Sequence, residues 1–124
     1  MTLDAFRARL GVDQGRVVAD ASAVFILGAR TPGRMHVLAA GDYAEIVQRI
    51  DLTDADLLRV TAMCRAPLTP TGLAWSLVVR VDGVPLARRR LPTGRTIDVR
   101  DLAATVAALV GEHEVAVRLE LVAV

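Results

Sequence analysis

The chain has 124 residues, 53% of them hydrophobic, and a formal net charge of +1 from 15 basic and 14 acidic side chains. That length and apolar content suffice for one domain with its own core, and the balanced charge excludes an overall field that would recruit nucleic acid or an anionic membrane. Every basic residue is Arg, and Lys and Asn are absent, so turns that elsewhere use Asn must rely on Gly, Asp and Pro.

Residues 2–10 place Leu3, Phe6 and Leu10 at helical spacing, with Thr2 as a cap and Gly11 as a stop. The spacing predicts a short amphipathic helix, an arm over residues 1–11 ahead of a single β-sandwich domain over 12–124. A helix so short needs a surface to lie on, which makes Leu3, Phe6 and Leu10 interface candidates, either against their own domain or against a neighbouring subunit. Asp4, Arg7 and Arg9 interrupt the apolar residues, so the segment does not resemble a secretory signal, and no apolar run is long enough to span a bilayer. The expectation is a chain made without a signal peptide and without a membrane partner.

Residues 17–27 are apolar and β-capable, and Thr31, Pro32 and Gly33 mark a turn before a short strand over 35–40. Residues 43–52 alternate, Ala44, Ile46, Ile50 and Leu52 against Tyr43, Glu45, Arg49 and Asp51, the pattern of a half-buried strand. Leu58, Val60, Ala62 and Cys64 continue in the next strand, where the single cysteine excludes an intrachain disulfide and reads as an inert core thiol. Trp75, Leu77, Val79 and Val81 share a strand face, and Asp82-Gly83 signals a hairpin into residues 84–90. Pro85 argues that the return strand is an edge or is bulged.

Residues 96–99 read as a strand end, and an Ala-rich stretch over 101–110, with Leu102, Val106, Leu109 and Val110 on one face and Gly111 as a stop, reads as a short helix before the last strand. Val115, Val117, Leu119 and Leu121 then alternate with Glu114, Ala116, Arg118 and Glu120. About seven or eight strands at short intervals, with no strand-helix-strand rhythm, predict a mainly β antiparallel sandwich.

The run Thr96-Ile97-Asp98-Val99-Arg100-Asp101-Leu102, followed by Gly111-Glu112-His113-Glu114-Val115-Ala116-Val117-Arg118-Leu119, resembles the closing strands of jelly-roll or galactose-binding-like modules, over the last third of the chain. The resemblance implies a role as a subunit of a larger particle, including phage virions, or as a carbohydrate-binding module. In the second case the stacking candidates are Trp75 and Tyr43, with Trp75 also fitting the core.

No catalytic set converges. His36 and His113 lie in no metal motif, and Cys64 has only Arg65 beside it as a positive neighbour. Asp51, Asp54 and Asp56, with Asp42, form an acidic turn that either caps itself or offers oxygens to calcium, without the glycine and glutamate of an EF-hand. Arg88, Arg89 and Arg90 are the one basic run; in a strand Arg88 and Arg90 share a face and Arg89 opposes them. They read as a solvated edge that resists pairing or as an interface for a partner's carboxylates or phosphates. The expected function is a non-enzymatic structural or interaction subunit, cofactor-free, partnered by protein subunits and forming homo-oligomers, in a phage or phage-like particle; carbohydrate binding is the alternative.

Overall fold

The computed structural model describes residues 2–12, 17–26, 29–31, 34–35, 40–41, 43–65, 71–91 and 96–124. Ten strands account for them: β1 (Thr2–Val12), β2 (Val17–Ile26), β3 (Ala29–Thr31), β4 (Arg34–Met35), β5 (Tyr43–Asp51), β6 (Leu57–Arg65), β7 (Leu73–Val81), β8 (Val84–Arg90), β9 (Thr96–Thr105) and β10 (Glu112–Ala123). They form two four-stranded antiparallel sheets, ordered β2-β1-β6-β9 and β5-β10-β7-β8, and the short pair β3-β4.

The pairing is nested. Strand β7 pairs with β8 across a tight turn, β6 with β9 around that hairpin, and β5 with β10 around both. The rungs of this ribbon alternate between the sheets, while β1 fills the place between β2 and β6. The turn at the centre of the nest is the one expected from Asp82-Gly83: both residues have positive φ, 50° and 82°, the geometry that continues the twist of a two-residue hairpin. Pro85 lies in an edge strand beside a register shift, as its missing N–H requires.

The core follows from period-two alternation. Ala8 and Leu10 of β1, Leu58, Val60 and Ala62 of β6, and Leu102 and Ala104 of β9 join Ile46, Ile50, Trp75, Leu77, Val79, Val115, Val117, Leu119 and Leu121 of the other sheet in a single buried cluster. One face of each sheet is thus removed from water by the other, the dominant favourable contribution to the fold.

Two expected helices are corrected. Residues 2–12 form β1, hydrogen-bonded to β2 on one side and β6 on the other; Leu10 is buried and Arg9 exposed, which is strand alternation. The ladder to β2 carries a register shift between Leu3 and Phe6. Residues 101–105 continue β9, with Leu102, Ala104 and Val106 buried and Ala103, Thr105 and Ala107 exposed. The spacing of four between Leu102 and Val106 fits either period, and the intervening Ala104 decides for two. There is no helix among the described residues, hence none long and apolar enough to cross a membrane.

Candidate functional site

Each sheet has two edge strands. In the sheet containing β10 these are β5 and β8, and the exposed face between them carries most of the described polar geometry. Long side chains pair above small ones. Arg88 Nη1 lies 2.7 Å from Glu120 Oε1; because β7 separates their strands, this ion pair crosses above Ser76 and Val78, which are buried on the side of the sheet away from the core. Arg118 donates to Glu45 at 2.7 Å and places its guanidinium 4.0 Å above the centre of the Tyr43 ring, a cation–π contact. Arg49 and Glu112 form a more exposed pair at 3.3 Å.

A second polar group closes one end of this sheet. His113 Nδ1 is 2.6 Å from Asp82 Oδ2 and its Nε2 is 3.0 Å from the Val110 carbonyl, while Asp82 Oδ1 accepts from the Glu114 amide at 3.0 Å. Two acceptors facing both ring nitrogens favour the doubly protonated imidazolium. The hydrogen bond to Asp82, then that to Val110, raises the His113 pKa above its ordinary value; the His113 hydrogen bond, then the Glu114 amide, lowers that of Asp82. The group ties the β7–β8 turn to the start of β10, a structural use of the histidine.

The sequence candidates are dispersed. Leu10 is core, and the side chains of Leu3, Phe6 and Cys64 lie outside those described, as do residues His36 and Asp42. Trp75 is 1% exposed, so its candidacy as a stacking platform is corrected to a core residue; Tyr43 is 49% exposed, with Arg118 on one face. Asp51, Asp54 and Asp56 are exposed in the β5–β6 turn, where the Asp51 carboxylate accepts from the Thr53 amide at 2.9 Å and Asp54 adopts a φ of 64°. Among the described residues no three His, Cys, Asp or Glu side chains are grouped to hold a metal.

Arg88, Arg89 and Arg90 lie exposed on β8 with the expected facing: Arg88 and Arg90 stand opposite outward Val78 and Ser76, and Arg89 opposite core residue Leu77. Arg89 reaches the Arg100 carbonyl of the facing sheet at 3.2 Å. An inward-pointing charge, a proline and a bulge together blunt this edge.

Strand β5 is the feature that sequence reading missed. Its alternation is legible, but its place at an edge depends on strand order. It pairs with β10 without a register shift and has no Pro or Gly, and Val47 at its centre is 44% exposed. The chain matches no family model, no curated protein and no solved structure.

Proposed function

We propose that the chain is a non-enzymatic structural or interaction subunit of a larger protein assembly, of the kind that builds phage or phage-like particles, on a jelly-roll β-sandwich. The observation that carries the reading is the open edge of β5, with Tyr43 and Val47 exposed, together with apolar surface on β8, where Val84 is 57% and Leu86 40% exposed. Open edges template pairing with another chain, and exposed apolar side chains lower the free energy of association when they are covered.

Two further features support it. The nested pairing of β5 to β10 has the alternating two-sheet arrangement of a jelly roll, with β1 occupying the position that a strand following β10 takes in that fold. The described polar side chains are spent on cross-strand ion pairs and turn ties rather than converging on a cleft. A carbohydrate-binding role loses its larger ring with Trp75 in the core.

Light scattering coupled to size exclusion at two well-separated concentrations tests the reading. The expected result is a defined multiple of the chain mass that rises or sharpens with concentration. A monomer at both, with no complex recovered by cross-linking in the lysate of the producing cells, would overturn it.

A further inference from the structure

We infer that β5 is the contact strand of a homodimer: two copies pair their β5 edges antiparallel about a two-fold axis through Val47, making one continuous sheet from two. The inference rests on the assembly reading and names its first partner, a second copy of this chain.

The two edges of the sheet are not equivalent. Strand β8 carries Pro85, a register shift and the inward-pointing Arg89, each of which obstructs strand addition. Strand β5 carries none of them over nine residues. Among the described residues β5 pairs with β10 alone, which leaves its other side to a partner strand.

Backbone phase agrees. The Leu52 amide donates to the Gly111 carbonyl, and in the β5–β10 register this makes Ile50, Gln48, Ile46 and Ala44 the residues whose backbone groups face β10. The N–H and C=O groups of Glu45, Val47 and Arg49 therefore point to the open side. Glu45 and Arg49 are also the outward, charged positions of the strand, so a partner bonded there meets their side chains on one face.

The sequence is complementary to itself in that register. Strand β5 runs from Tyr43 to Asp51, so centring the axis on Val47 overlaps its whole length. Val47 then faces Val47 of the second copy, and Glu45 faces the second copy's Arg49, twice by symmetry. Facing opposite charges and facing β-branched residues are favourable cross-strand pairs. Glu45 already meets Arg118 and Arg49 already meets Glu112; the pairing links these into alternating charges, Arg118, Glu45, Arg49 and Glu112, across the boundary. The other symmetric option, β8 against β8, fails on the same criterion. The Leu91 amide bonds to the Trp75 carbonyl, so Arg88 and Arg90 hold the outward backbone groups, and over the whole length of Val84–Arg90 they face Leu86 and Val84 of the second copy, charge against apolar side chain.

The test is the native mass of full-length variants by light scattering. Val47→Pro removes an N–H that points away from β10, so the intrachain ladder is kept, while the centre of the new contact is lost. Glu45→Arg and Arg49→Glu each set like charges face to face, and the double exchange restores opposite ones. Wild type is expected at twice the chain mass, Val47→Pro and both single reversals at one, and the double exchange at two again, with unchanged far-UV circular dichroism throughout. Should Val47→Pro lose its fold, the three charge variants decide alone. An oligomer indifferent to all four changes would overturn the β5 contact and leave the assembly reading standing; a wild-type monomer at every concentration would overturn the β5 contact, and the assembly reading with it only when cross-linking in the lysate also recovers no complex.

Discussion

Among the described residues Trp75 is the largest fully buried side chain, and its indole N–H has no hydrogen-bond partner. A buried unsatisfied donor carries a desolvation penalty of about 1–3 kcal/mol, which Trp75→Phe removes while leaving most of the ring. Trp75→Phe is therefore expected to destabilise by well under the roughly 3–5 kcal/mol of a buried aromatic cut to Ala. Urea denaturation followed by circular dichroism, the fluorophore being lost, measures this. Equal losses in Phe and Ala would mean that the N–H is bonded after all. His113 gives the second prediction at this scale. Its raised pKa means that the bond to Asp82 stabilises fully below about pH 6.5 and that this is lost as pH rises through the folded value; the lowered Asp82 pKa means that its share is present above about pH 3.8 and lost as pH falls through its folded value. The stability difference between wild type and His113→Gln should be widest in mildly acidic buffer and shrink by pH 9, read as thermal midpoints. A gap independent of pH would reject the charged pair.

Among the elements, the β7–β8 hairpin was the most legible, because Asp82-Gly83 names its turn and Pro85 its edge. Gly83 sits at φ 82° with nothing within 4 Å of where a Cβ would stand. Gly83→Ala is thus expected to lose about 1–2 kcal/mol from backbone conformation alone, visible as a lower urea midpoint with unchanged slope. A neutral result would show that the turn relaxes. Strands β1 and β9 were misread as helices for a definable reason: Leu3, Phe6 and Leu10, and Leu102, Val106 and Leu109, have spacings that suit a helix, and what makes them strands is hydrogen bonding to β6 and to β2. The partner common to both, β6, is distant in sequence and leaves no local mark. The Arg88 to Arg90 alternation could be read correctly because facing in a strand is local. That β5 lies at an edge could not, since it follows from β10 pairing between β5 and β7.

At the scale of the molecule, the nest and the place of β1 make a prediction about connectivity. The first half of β1 lies at the end of β6, where Phe6 pairs with Cys64, and β10 ends beside the start of β7, the strand that follows β6. A circular permutant that joins Val124 to Thr2 through a short flexible linker and opens the chain between Val12 and Val17 should fold, placing β1 after β10. Circular dichroism and a thermal midpoint within several degrees of wild type are expected. A permutant that fails to fold would mean that the order β1-β2 is needed to start folding, not only to complete the sheet.

The same order has a consequence during synthesis. Of the ten strands β1 is made first, yet one of its two partners, β6, follows only after some fifty residues, and β5 and β7 stay open along the side that β10 will fill until residues 112–123 are made. A nascent chain of this domain therefore carries unpaired strand borders until β10 is made, and one that stalls before residue 112 cannot close them. Its yield should depend on holdase chaperones and on elongation speed more than the stability of the finished domain would suggest.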